Sequence, residues 1–308
     1  MTVPAEAQAA VIERASGVRS RTGVPLAALT TFAIGGPVAC LAEPDSPAEL
    51  GRLLQFLSAE GIPWRILGAG SNILAADEVH PGCVIRLGRG LRYVHPCGGG
   101  VFRVGGAMAL MSLSRELSEG GFAGLEFAGG IPASLGGAVR MNAGAHGAEM
   151  ASVLRSLTVY EQGELHEYAA AALPFSYRHS GLSEQAIVVE ATIALTPGDP
   201  RTSRELRAKH LAYRKETQPL SLPSAGSVFR NPDPHHPAGR LIEACGLKGA
   251  RSGGARISEL HGNWIVNEGR TAAARDVQTL IARCQTAVRE QHGFELHPEV
   301  VWWPPLQS

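Results

Sequence analysis

The stretch from Gly121 to Gly147, GFAGLEFAGGIPASLGGAVRMNAGAHG, decides how the chain is read. Eight of its twenty-seven residues are glycine, yet it carries one acid (Glu126), one base (Arg140) and no helical or triplet period. Glycine is costly in regular structure unless the backbone takes a positive φ or another group must come close. The pairs Gly129-Gly130 and Gly136-Gly137, with Pro132 fixing φ between them, imply a winding main chain laid against a large flat or anionic ligand, its free N–H groups forming the surface. A flexible linker would carry Ser, Lys and Glu; this stretch carries Leu125, Phe127, Ile131, Leu135, Val139 and Met141.

Working outward, 308 residues allow two domains with ample core. Twenty-eight basic residues balance twenty-eight acidic ones, which removes the electrostatic case for nucleic acid or an anionic membrane and requires any anion to be held locally. The first residues have early acids and no apolar leader, and no run of about 18 apolar residues occurs anywhere, so the sequence reads as cytoplasmic. Five widely spaced cysteines without a C-x-x-C indicate reduced, mostly buried thiols and no zinc site; no metal is expected at His235-His236 either.

Upstream, residues 5–16 have amphipathic helical spacing. Ser46-Pro47-Ala48-Glu49 reads as a helix start, and Leu50, Leu53, Leu54 and Leu57 continue it to about residue 60. A strand at 64–67 runs into Gly68-Ala69-Gly70-Ser71-Asn72, a tight phosphate-type turn. It lacks the third glycine and the following helix of a dinucleotide fingerprint. Between Gly82 and Gly106 three short apolar runs, beginning at Cys83, Leu91 and Val101, predict antiparallel strands. A helix from Leu110 to Gly120 delivers the chain to the glycine stretch. Strands follow near 153–160, 164–168 and 186–195, then a linker at Pro197–Pro200, a charged helix over 202–216, a helix near 273–292 and a terminal strand over 297–303.

Taken together, LGAGSNIL at 67–74, GLEFAGGIPASLGGAVRMNAGAHG at 124–147, YRHS at 177–180, LPSAGSVFRNP at 222–232, AGRLIEACGLKG at 238–249 and HPEV at 297–300 resemble the UDP-N-acetylenolpyruvoylglucosamine reductases, in their shorter subtype. The resemblance runs from about Thr30 to Val300. It implies an α+β fold: a two-lobed FAD-binding region of the vanillyl-alcohol-oxidase (PCMH) type over 1–198, with lobes of about 1–75 and 76–198, and an α+β substrate-binding domain over 199–308. It also implies non-covalent FAD, NADPH as co-substrate and a sugar-nucleotide substrate, in a monomer or weak oligomer. The cofactor-binding residues it carries over are Gly68, Ala69, Gly70, Ser71, Asn72, Gly129, Gly130, Ile131, Pro132, Ser134, Gly136, Gly137, Ala138, Asn142 and Gly144. Arg178, Ser227 and Glu299 would be catalytic, and Tyr177, Asn231 and Lys248 would contact substrate.

The chain departs from the family pattern at Ala33, Ala133-Ser134, His146 and Arg230, none of which the chemistry requires. A guanidinium suits a planar oxyanion, so Arg178 fits stabilisation of an enolate-like carboxylate, Ser227 its protonation and Glu299 its orientation. Singly these residues read as a surface ion pair, a turn hydroxyl and a solvated strand end. A serine-hydrolase reading of Ser227 fails because G-x-S-x-G is absent. Another FAD oxidase or dehydrogenase of the same fold, and a nucleotide-binding module without turnover, are the competing classes.

Overall fold

The computed structural model describes residues 5–305. Its first lobe is built on strand Pro37–Ala42, which runs parallel to His80–Ile85; that strand in turn runs parallel to Trp64–Ile66. Two short strands, Ser20–Arg21 and Val24–Pro25, pair antiparallel on its other edge. Helices α1 (Ala5–Ser16) and α2 (Pro47–Ala59) cover the sheet. The Ser46 hydroxyl accepts from the Glu49 N–H at 3.1 Å, with Pro47 in the first turn, as its sequence requires. The helix then buries Leu50, Leu53 and Leu57 completely, each worth about 1.5–3 kcal/mol of burial.

The run starting at Cys83 is a correction. It was expected among antiparallel strands of the second lobe, with the lobes dividing near residue 75, but it lies in the first lobe as a parallel strand. Cys83, Val84 and Ile85 are all buried, the two-sided burial that parallel strands require and that alternation cannot reveal.

The second lobe is an antiparallel sheet in the order Glu164–Ala169, Leu154–Glu161, Ile187–Ala194, Val101–Gly105, Val94–Gly98. Helices α3 (Leu110–Glu119) and α4 (Leu135–Arg140) seal it through Leu110, Leu113, Leu117, Leu135 and Val139. Helix α5 (Pro200–Thr217) packs on α3 and on the turn Glu126–Gly130, and so belongs spatially beside this lobe.

Beyond it, α6 (Ala238–Ala244) and α7 (Ala274–His292) pack with a small antiparallel sheet of Arg251–Ser252, Ala255–Ile257 and Ile265–Val266. Val277, Leu280, Cys284 and Val288 fill its core, which also takes in Phe32, Ile34 and Leu74 of the first lobe. Strand Val301–Trp303 returns to pair in parallel with Ile73–Ala75. Among the described residues no helix is long and apolar enough to cross a membrane.

Candidate active site

A cleft of about 2090 Å³ runs between the two lobes and the C-terminal part of the chain. Residues 68–72 and 130–138 form much of its wall, with Gly144, Arg178, Ser227 and Glu299 further along. The loop from Gly68 to Asn72 leaves the C-terminal end of strand Trp64–Ile66. Its five successive N–H groups donate to no acceptor among the described residues. Gly70 adopts φ +66°, and a Cβ there would lie 2.2 Å from the Leu29 carbonyl oxygen. Such a row of free donors is suited to a pyrophosphate.

The glycine stretch offers the cleft fewer donors than its composition suggested, because the N–H groups of residues 135–138 are engaged. Gly136 donates to Gly106 O at 2.9 Å, Leu135 to Met108 O at 2.8 Å, Gly137 to the Ser134 hydroxyl at 3.3 Å and Ala138 to Ser134 O at 2.9 Å. What it offers the cleft is bare backbone. A Cβ on Gly137 would meet only the Ser134 hydroxyl, at 3.2 Å, and one on Gly130 only the side chain of Arg214. The two glycine regions thus have separate roles, residues 68–72 presenting free donors and residues 130–138 allowing close approach. Together they have the chemistry of a site for a ligand with a pyrophosphate and a flat ring.

Gly129 and Asn142 do not face the cleft. Gly129 is buried beneath Arg207. Asn142, fully buried at φ +40°, donates to Ser176 O and accepts from the Ala151 N–H, both at 3.0 Å, and so shapes the loop from behind.

Arg178 and Glu299 meet in the cleft wall. The guanidinium Nε donates to Glu299 Oε1 at 2.8 Å, and Nη2 donates to Gly144 O at 3.2 Å. The side chains are only 20% and 14% exposed, so this ion pair is largely withdrawn from solvent. Burial pushes the Glu299 carboxyl above the usual carboxylate range, while Arg178, and to a lesser degree Arg230, pull it back. Arg178 sits at φ +58°, a strained conformation for a long cationic side chain that the surrounding loop must enforce.

Ser227 follows Gly226 (φ +77°) and is bridged to Trp264, while the next residue, Val228, accepts from the Glu299 N–H at 2.7 Å. Ser227 and Glu299 therefore lie on neighbouring extended segments. Asn72 joins this array to the first loop: its side-chain amide donates to Glu299 O at 3.0 Å, and its carbonyl accepts from the Val301 N–H at 2.9 Å.

The expected substrate contacts are dispersed. Tyr177 lies half-exposed with its ring 4.9 Å from the Arg178 guanidinium carbon. Asn231 accepts at its side-chain oxygen from the Ala238 N–H at 3.0 Å, at the start of α6, and lies just beyond the cleft lining at Arg230. Lys248 lies 3.3 Å from Glu243, also outside the cleft lining.

Sequence reasoning missed the contribution of α5. Tyr213, Arg214 and Lys215 line the cleft mouth, and Arg214 donates to Gly130 O. His146 stacks on His210 with ring centroids 3.9 Å apart and 3° between planes; burial first, then His210 and Arg214, lowers its pKa. The signal was present in the helical spacing of Arg207, His210 and Arg214, which places them on one face.

Comparison with known proteins bears on this geometry. An FAD binding domain model matches residues 38–168, which makes the chain a flavoprotein of the class that the two-lobed fold and donor loop define. The model of the UDP-N-acetylenolpyruvoylglucosamine reductase C-terminal domain matches residues 218–303. UDP-N-acetylenolpyruvoylglucosamine reductase 1 of Bacillus anthracis is 45% identical over 279 residues, covering 90% of this chain and 92% of the relative. The Synechococcus sp. (strain JA-3-3Ab) reductase is 44% identical, with 97% and 96% covered. The crystal structure of the Thermus caldophilus reductase superposes with a TM-score of 0.81 at 38% identity, over 93% of this chain and all of that one. The chain belongs to the UDP-N-acetylenolpyruvoylglucosamine reductase family.

Proposed function

We propose that this protein reduces the enolpyruvyl group of UDP-N-acetylglucosamine enolpyruvate to the lactyl ether, giving UDP-N-acetylmuramate for peptidoglycan precursor synthesis in the cytoplasm, with NADPH as reductant. The observation that carries this reading is the buried Arg178–Glu299 pair on the same cleft wall as Ser227, tied by Asn72 to the row of free N–H groups at 68–72.

The N–H groups of residues 68–72 and the Ser71 hydroxyl would hold the FAD pyrophosphate. Gly130, Ile131, Pro132, Ser134, Gly136, Gly137, Ala138 and Gly144 would form the wall against its rings. Bound there and reduced by NADPH, FAD would supply the hydride for the terminal carbon of the substrate alkene.

That addition pushes charge toward the substrate carboxylate as an enolate. Arg178 stabilises the charge with a guanidinium already fixed by Glu299 and Gly144, so little reorganisation accompanies the reaction. Glu299, held partly toward its neutral form by burial, orients the oxygen that carries the charge. Ser227 delivers its hydroxyl proton to the ether-bearing carbon. A serine can do this because an enolate in a water-poor cleft is a strong base, and the resulting alkoxide recovers its proton from solvent when product leaves.

An anaerobic titration tests the reading. NADPH should bleach the bound flavin, and the enolpyruvyl sugar nucleotide should restore its colour with one equivalent of the lactyl product. Bleaching by a simple alcohol with indifference to NADPH would point instead to an oxidase of the same fold.

A further inference from the structure

A second pocket, of about 310 Å³, lies at the carboxyl ends of the parallel strands of the first lobe and is lined by Arg19, Arg21, Glu43, Arg86, Gly88, Arg89 and Arg92. Sheet register builds it. Ala42 pairs with Ser20 on one side and Ile85 on the other, so the next row sets Glu43 between Arg19 and Arg86. Main-chain bonds continue that row: Glu43 N–H to Arg19 O at 3.0 Å, and Arg86 N–H to Ala42 O at 2.9 Å. The turn after Gly88 then brings Arg89 and Arg92 to the same opening.

Glu43 has two oxygens and three claimants. Arg86 grips Oε1 with Nε at 3.1 Å and Nη2 at 2.8 Å, while Arg19 and Arg21 each reach Oε2 with a single Nη2, at 3.2 and 3.1 Å. Arg89 and Arg92 have no carboxylate partner among the described residues. Asp45, on the loop behind Gly88, spends its Oδ1 on the Gly90 N–H. Five guanidinium groups thus face one carboxylate in a concave site of a chain whose total charge is zero. One carboxylate suffices to finish the sheet edge; it does not call for Arg89 and Arg92. Clefts lined by one sign of charge concentrate counter-ions, and guanidinium forks match phosphate oxygens in pairs.

We propose that this pocket binds a small diphosphate, either free pyrophosphate or the diphosphate end of a nucleotide. Its size is at the lower end for a small-molecule site, and the open ends of parallel strands are where such folds place ligands. Arg86 and Arg92 also line the large cleft, so the two sites share a wall.

The test is calorimetric titration of the flavin-loaded protein with pyrophosphate at about 150 mM NaCl, where charges more than about 8 Å apart are screened. Saturable binding at one site per chain is expected, and R19Q/R89Q should weaken it at least tenfold with flavin absorbance and Tm unchanged. R19K/R89K should fall between, because lysine keeps the charge but loses the fork. If the double variant folds poorly, R89Q alone applies, since its side chain has no partner to lose. A parallel titration with UDP distinguishes the sources: UDP binding lost in the same variant assigns nucleotides to the pocket, and UDP binding retained while pyrophosphate is lost assigns it to the free anion. Pyrophosphate affinity unchanged by R19Q/R89Q, or no saturable binding to the parent, overturns the proposal.

Discussion

Replacing Arg178 by Gln removes the cation from a carboxylate that the fold keeps 14% exposed. Gln is preferred to Gly because residue 178 sits at φ +58°, and glycine would relax backbone strain and mask the effect. Breaking a buried pair by deleting one partner costs about 3–5 kcal/mol; with 20% and 14% exposure remaining, the lower end, about 3 kcal/mol, applies. The cost depends on pH with a definite sign. The folded-state pKa of Glu299 is raised by burial, and losing Arg178 raises it further, so the folded chain binds this proton more tightly than the unfolded chain does. The penalty is therefore complete above the folded value and disappears as pH falls through it toward the ordinary carboxylate range, leaving about 1 kcal/mol for the lost hydrogen bonds. Urea unfolding of parent and variant at fixed flavin concentration, from pH 8.5 down to pH 5, measures the difference directly. A gap of constant size across that range would refute the argument that Glu299 is a buried, charge-dependent partner.

Ser227→Ala should bleach with NADPH at the parent rate but reoxidise with substrate about 10²–10⁴-fold more slowly in anaerobic rapid mixing, with Ser227→Cys recovering part of the rate. Slowness confined to the NADPH step would remove Ser227 as proton donor. Gly137→Val should fold normally, since its Cβ meets only a serine hydroxyl at 3.2 Å, yet purify with little flavin; full occupancy by absorbance would deny the close-approach role of the glycine stretch. Denaturing the purified protein should release all its flavin as FAD into the supernatant, because residues 121–145 contain no histidine or cysteine to attach it; flavin retained by the precipitate would contradict this.

Elements fixed by neighbours in sequence were legible from it. Helix α2 was visible through Ser46, Pro47 and its leucine spacing, and α7 through Val277, Leu280 and Val288, because caps and periodicity act within a few residues. The parallel placement of Cys83–Ile85 was not, since burial on both faces leaves no alternation to read. In the site, glycine content picked out a stretch that lines the cleft, but it did not reveal that the N–H groups of residues 135–138 are already engaged. Composition reports where a backbone can bend or be approached closely, whereas hydrogen-bond status depends on partners such as Gly106 and Met108, which only the fold brings near. The partners of Asn231 and Lys248 were hidden for a related reason: each lies in a matching motif, but the α6 start and Glu243 that contact them are brought near only by the fold.

The parallel pairing of Val301–Trp303 with Ile73–Ala75 has a consequence for synthesis on the ribosome. Strand Ile73–Ala75 adjoins the donor loop and emerges early, but it must wait for nearly all the remaining chain before its partner exists. Such long-range closure is slow and comes late in folding. Asn72, whose main-chain and side-chain groups hold Val301 and Glu299, remains unanchored until then. On the proposed reading, flavin capture thus depends on a strand that emerges late: a nascent chain without Val301–Trp303 lacks the contacts that hold Asn72 beside the donor loop.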